Sequence, residues 1–215
     1  MVIRLEGPRT QIVEFGRRLV TAHLTTGTGG NLSYFDRKEG LVAIKPSGVD
    51  YFEMKPEDVA LFEPDGTPVE VPKKPSSETA MHLEVYRRRD DINAVIHTHS
   101  VFATTIACMG WELPAVHYLV GFSGYKVPLA PYATYGTEEL AKNTADALGS
   151  FNAVLMANHG LLAVGPTMLG AFCTAEEIEL VAQIYVRARA MGDPVILPRE
   201  EMEKITERFI NYGQR

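Results

Sequence analysis

The sequence predicts a single α/β domain, and three observations lead there. The chain has 215 residues, enough for one large domain. Apolar runs of strand length alternate along it with segments of helical period. No Pro/Gly/Ser-rich linker, low-complexity stretch or solenoid-length repeat interrupts them, so 1–215 reads as one domain. Hydrophobic residues make up 46% of the chain, which allows a sizeable core.

The formal net charge of -6 argues against a nucleic-acid or anionic-membrane partner, because each needs a basic face. An anionic small molecule stays compatible if its positive partner is local: a metal, a helix N-terminus or backbone amides. Cys108 and Cys173 lie far apart in apolar segments and read as reduced, buried thiols. No apolar run reaches the roughly 18 residues that span a bilayer. The start, Met-Val-Ile-Arg-Leu-Glu, lacks a signal-peptide plan, so a soluble cytoplasmic protein is expected.

Residues 8–24 read as a helix, with Ile12, Phe15, Leu19 and His23 on one stripe. Thr25 to Asn31 then holds Gly27, Gly29 and Gly30, which allow positive φ and close approach of a ligand; a plain turn would look similar. Residues 32–35 and 41–44 form a hairpin around Asp36 to Gly40. Lys45-Pro46-Ser47-Gly48 follows directly, as either an anion site or an ordinary turn. Lys45 itself could assist an anion but reads first as a solvated lysine. Residues 59–63 are a strand, and Asp65-Gly66 turns it back.

Ser76 or Ser77 is the expected N-cap of a helix carried by Met81, Leu83, Val85 and Tyr86. His82 reads as a packing residue. Glu78 in that first turn is either a dipole stabiliser or a functional carboxylate. Residues 100–109 are helical, and 113–120 extended. Tyr118 is there a core ring or a proton donor. Residues 127–132 form a proline-marked edge strand. Thr137 opens a helix that ends at Gly149. A strand at 153–157 runs through Asn158-His159-Gly160 into 161–164. The longest helix spans 167–191, stopped by Gly192 and Pro194, and a last helix spans 199–209.

The central stretch is Asn93-Ala94-Val95-Ile96-His97-Thr98-His99-Ser100. Strand side chains alternate, so His97 and His99 point the same way, roughly 6–7 Å apart. They can converge on one ion where the strand twists or ends. His159, after a second apolar run, is a third candidate. Three histidines leave a coordination position open, which marks catalytic rather than structural zinc.

Taken in order and spacing, these motifs make the chain resemble the class II aldolases, the family of fuculose-phosphate aldolases and ribulose-phosphate 4-epimerases. The resemblance runs through Gly29 to Ser33, Pro46 to Gly48, Pro75 to Glu78, Val95 to His99 and Asn158 to Gly160. It also covers Pro114 to Tyr118, Ala130 to Thr137 and Tyr212-Gly213. It implies a three-layer α/β/α domain with a large, mainly antiparallel sheet, assembled as a homotetramer with sites between subunits. It implies zinc on His97, His99 and His159, with Glu78 as resting fourth ligand and Co2+ or Mn2+ as substitutes. Gly30, Asn31, Ser47, Gly48, Ser76 and Ser77 would hold a substrate phosphate. The implied reaction cleaves a ketose 1-phosphate between C3 and C4, giving dihydroxyacetone phosphate and an aldehyde. Glu78 would move the C3 proton, and Tyr118 of a neighbouring subunit the C4 hydroxyl proton. Tyr212 is a candidate contribution from the tail. The 4-epimerases of this superfamily carry aspartate where Glu78 stands, so glutamate favours an aldolase. Decarboxylases and dehydratases of phosphorylated sugars or sugar acids share the metal triad and are the alternative. Non-catalytic relatives that keep the fold as an interaction domain should lack the histidines, and all three are present.

Overall fold

The computed structural model describes residues 3–210. Six helices are assigned: α1 Glu6–Thr21, α2 Thr79–Arg88, α3 Val101–Cys108, α4 Glu138–Leu148, α5 Met168–Met191 and α6 Arg199–Ile210. Eight strands are β1 Asn31–Asp36, β2 Leu41–Ile44, β3 Ala60–Phe62, β4 Pro68–Glu70, β5 Ala94–Thr98, β6 Leu129–Ala130, β7 Ala153–Met156 and β8 Gly160–Gly165. They form one sheet in the order β4-β3-β2-β1-β5-β8-β7-β6. Every pairing is antiparallel except β6 with β7.

The central strands are apolar at nearly every position because both faces are covered. Leu32, Ala94, Ile96, Leu155 and Leu161 face α1, α3 and α5. Val42, Val95, Val154, Leu162 and Val164 face α2 and α4. The strand period of two splits the core into two layers around one sheet, giving the expected α/β/α sandwich. β6, read as an edge from its prolines, is an edge.

Local signals account for several helix ends. Thr137 Oγ1 accepts from the Leu140 amide at 3.2 Å, and Thr167 Oγ1 from the Gly170 amide at 3.0 Å. Other readings are corrected. Neither serine caps α2: Glu78 occupies the N-cap position without a side-chain cap bond. Ser76 Oγ accepts from the Glu78 amide at 3.2 Å instead, so the N-cap falls two residues after Ser76 and one after Ser77. His23 lies beyond α1 with φ 58. Residues 118–122 form a 3-10 turn, because a His117 ring nitrogen accepts from the Leu119 amide at 3.3 Å. The chain does not pass straight through Asn158: it reverses there at φ 55, making β7 and β8 a hairpin. Cys108 and Cys173 are free thiols, but neither is fully buried: Cys173 is half-buried, and Cys108 is exposed at the end of α3, outside the apolar stripe of Ala103, Ile106 and Ala107.

Gly165 ends β8 against the start of α5. A Cβ there would lie 2.7 Å from the Ala171 nitrogen and 3.1 Å from the Gly170 carbonyl carbon. Backbone cannot give way as a side-chain end can. Gly165→Ala should therefore lower stability by about 1–3 kcal/mol, read as a drop in urea midpoint at unchanged m-value; an unchanged midpoint would show that α5 slides without cost.

Candidate metal centre and anion pocket

Antiparallel alternation brings one end of each central strand to a common edge. Asn31 opens β1 opposite His97 near the end of β5, and Thr98 pairs with Leu161 just past the start of β8. The β7–β8 turn carrying His159 sits at the same edge. Gly30 makes the junction tight: its φ is 67°, and a Cβ would fall 2.6 Å from the His97 carbonyl oxygen. Only glycine serves there.

At this edge the three imidazoles meet. One ring nitrogen from each of His97, His99 and His159 lies within 4.8 Å of the others. The ring centroids are 4.7 Å (His97–His99), 4.7 Å (His97–His159) and 5.5 Å (His99–His159) apart. His97 Nδ1 donates to the Leu161 carbonyl at 3.0 Å, which leaves its Nε2 lone pair facing the centre. Burial pushes the His97 pKa well below its ordinary value, reinforced by His159 and His99. His99 is also lowered, again first by burial and then by His159, against the opposing pull of Glu78. Neutral imidazoles are the form that ligates metal.

Glu78 faces this cluster and is 6% exposed. Its Oε2 accepts from Asn31 Nδ2 at 2.8 Å and lies 3.5 Å from His97 Nε2. Its Oε1 has His159 Nε2 at 3.2 Å but no hydrogen bond of acceptable geometry, so a buried carboxylate oxygen is unpaired. Three inward nitrogens and one orphaned carboxylate oxygen suit a borderline divalent cation such as zinc, and the donor set fits the group.

Beside the cluster opens a cavity of about 360 Å³. Gly30, Asn31, Ser47, Gly48, Ser76, Ser77 and Glu78 all line it, with His99 and His159. The two serine loops are tied to each other: the Ser47 amide donates to Lys74 O at 2.8 Å and the Ser76 amide to Lys45 O at 3.1 Å. Those amides are committed, so Ser47 and Ser76 can offer an anion only their hydroxyls.

Lys45 is not solvated, as its charge alone suggested. It is 2% exposed, with Nζ donating to Thr28 O at 3.0 Å and lying 4.5 Å from the Tyr51 ring centre. Burial pulls its pKa down to about 8. Tyr51, buried, donates to Gly29 O and Gly30 O at 2.9 and 3.0 Å and so holds the glycine loop. Tyr132 and Tyr135 also line the cavity. Sequence reasoning missed Tyr51, Tyr132 and Tyr135 as site residues; Tyr132 and Tyr135 stand in a motif after an edge strand, the one signal available. Tyr118 does not line the cavity: it is 48% exposed, its ring 4.6 Å from that of His117. Tyr212 lies outside the described residues.

Fold and centre together define a layered α/β/α domain with a three-histidine cluster, able to hold a metal, at one edge of its sheet. The chain belongs to the class II aldolase family, whose model, described as "Class II Aldolase and Adducin N-terminal domain", matches residues 10–186. It is thus a carbon–carbon lyase. A 5-deoxy-D-ribulose 1-phosphate aldolase of Bacillus thuringiensis serovar kurstaki is 51% identical over 211 residues, covering 98% of this chain and 99% of that one. The L-fuculose phosphate aldolase of Escherichia coli K12 is 36% identical over 207 residues, 95% of each chain. A solved structure of an L-fuculose 1-phosphate aldolase superposes with TM-score 0.95 at 48% identity, covering 97% of this chain and 98% of that one. No helix among the described residues is long and apolar enough to cross a membrane.

Chelation should abolish lyase activity and strip bound metal, and zinc should restore both, with cobalt or manganese as substitutes. His159→Ala should lower zinc stoichiometry in equilibrium dialysis while circular dichroism stays unchanged. Full activity in metal-free protein would count decisively against this centre.

Proposed function

We propose that the enzyme performs zinc-dependent retro-aldol cleavage of a deoxyketose 1-phosphate to dihydroxyacetone phosphate and an aldehyde. A 5-deoxypentulose 1-phosphate is favoured over L-fuculose 1-phosphate. The observation that carries the reaction is the Glu78 carboxylate, one oxygen unpaired, between three imidazoles and a hydroxyl- and lysine-rimmed cavity. The similarity to the 5-deoxy-D-ribulose 1-phosphate aldolase, over nearly both whole chains, supports the substrate class.

His97, His99 and His159 would hold zinc, with Glu78 completing the resting set. When bound, zinc supplies a Lewis acid for the negative charge that develops on the ketose oxygens at C2 and C3. The C3–C4 bond breaks as the C4 hydroxyl gives up its proton, and C3 is then protonated. Glu78 moves aside from the cluster and delivers that C3 proton, and in the reverse direction removes it. Tyr118 of a neighbouring copy in a homotetramer accepts the C4 hydroxyl proton; its exposure and its place outside its own subunit's cavity support a role across an interface. A contribution of Tyr212 belongs to the same reading, and that residue lies outside the described ones. The hydroxyls of Ser47, Ser76 and Ser77, the amides of Gly30 and Gly48, and the side chain of Asn31 bind the phosphate.

Lys45 joins them as the phosphate's buried positive charge. Its pKa of about 8 in the free protein sets the sign of a pH effect: below that value the ammonium is present, and above it the charge is lost. In wild type, kcat/KM for a ketose 1-phosphate should fall as pH rises through about 8, and Lys45→Met should raise KM and flatten that limb. Equal limbs in both proteins would remove Lys45 from the phosphate site.

A retro-aldol screen over ketose 1-phosphates should release acetaldehyde from 5-deoxyribulose 1-phosphate faster than lactaldehyde from L-fuculose 1-phosphate, at equal dihydroxyacetone phosphate yield. With dihydroxyacetone phosphate alone in heavy water, wild type should exchange one C3 hydrogen stereospecifically. Glu78→Gln should slow this about 10²–10⁴-fold, because an amide cannot take the proton. Exchange at the wild-type rate in the zinc-loaded variant would show that Glu78 is not the base.

A further inference from the structure

Behind Glu78 and Asn31 lies a line of buried polar side chains, His82, Ser33 and Tyr86, to which the reaction assigns no role. His82 and Tyr86 are four apart on α2, so they share one face of that helix. Asn31 and Ser33 are two apart on β1, so they share one face of that strand. Where helix and strand pack, the four interleave. Tyr86 Oη lies 2.7 Å from Ser33 Oγ, and Ser33 Oγ lies 2.6 Å from His82 Nδ1. His82 Nε2 meets Asn31 Oδ1, and Asn31 Nδ2 reaches Glu78 Oε2 at 2.8 Å. Tyr86, Ser33, His82, Asn31 and Glu78 are 2, 0, 0, 4 and 6% exposed, so solvent cannot substitute for any member.

The direction of every bond is forced from the Glu78 end. A carboxylate only accepts, so the Asn31 group facing it must be the NH2. Its oxygen then faces His82, whose Nε2 must carry the hydrogen. His82 Nδ1 is left as an acceptor, so Ser33 donates to it and accepts from Tyr86. All the donors point towards Glu78, and hydrogen bonds aligned in this way strengthen one another.

We propose that His82 is a positioning residue: its Nε2–H fixes the amide of Asn31, which in turn holds the Glu78 carboxylate at the histidine centre. Without that donor the Asn31 amide is free to turn its oxygen to Glu78, and two acceptors would then repel. The inference deepens the assignment of Glu78 as proton shuttle and rests on that assignment for its catalytic consequence.

The test compares His82→Leu, which abolishes the donor, with His82→Gln, whose terminal amide restores it. Zinc affinity is measured by competition with a chromogenic chelator, beside kcat and the C3 exchange of dihydroxyacetone phosphate. The leucine variant should lose about 10–100-fold in both affinity and exchange, and the glutamine variant should regain most of both. A merely structural residue would shift the melting temperature of both variants without this rescue. Wild-type affinity and exchange in His82→Leu would overturn the proposal. Should that variant not fold, His82→Asn, too short to reach Asn31, takes its place, and equality with His82→Gln would overturn the proposal. If wild type itself exchanges nothing, the reaction reading fails, and zinc affinity alone decides: loss with rescue supports the positioning role, and equal affinity refutes it.

Discussion

The pairing of Asn31 with His97 is the contact on which the site depends. It is a backbone register between β1 and β5, and it sets which side chains share a face. A slip of one residue would send Asn31 to the α1 side and leave Glu78 without its amide partner. Gly30 keeps the register close, since any side chain there would push into the His97 carbonyl. Tyr51, hydrogen-bonded to the two glycine carbonyls, braces the same loop from below. The glycine loop, the carboxylate and the first histidine of the cluster are thus one mechanical unit, although Gly30 and His97 stand 67 positions apart in the chain.

The charges at this edge differ from those of the whole molecule. The chain carries a formal -6, yet the cavity holds two imidazoles, one carboxylate and a buried lysine with no carboxylate partner among the described residues. An anionic substrate brought here meets local positive charge, and a bound divalent ion would add to it. Dehydrating Lys45 is unfavourable for the empty protein, as its lowered pKa records, and a phosphate beside it would relieve that penalty.

Much of this was legible in the sequence, because its signals are local. The Asp36–Gly40 hairpin, the helix start at Thr137 and the proline-marked edge strand need only a few neighbouring residues to be read. The histidine triad and the serine-rich helix start were legible as motifs. What could not be read depends on neighbours across the sheet. Lys45 is buried because a different loop closes over it, and His82 is more than packing because β1 presents two polar groups to it. The reversal at Asn158 hangs on one residue accepting a left-handed backbone, which an apolar run on either side disguised as a continuous strand. Cys108 was misplaced because a short helix end shows too little of its stripe to reveal which side meets water.

The alternation that gathers strand ends at one edge also empties the other. The Arg37–Gly40 turn, the Asp90–Asn93 approach to β5, the Gly149–Asn152 approach to β7 and the exit of β8 at Gly165 all lie at the opposite rim. These four connections therefore lie a strand's length away from the candidate site. The Arg37–Gly40 turn, solvent-facing and joined to strands that are fully paired, offers a natural port for grafted sequence. A tether, fluorophore or fused module placed there would leave the catalytic rim unobstructed, which makes this scaffold suited to surface attachment with its cavity facing outward.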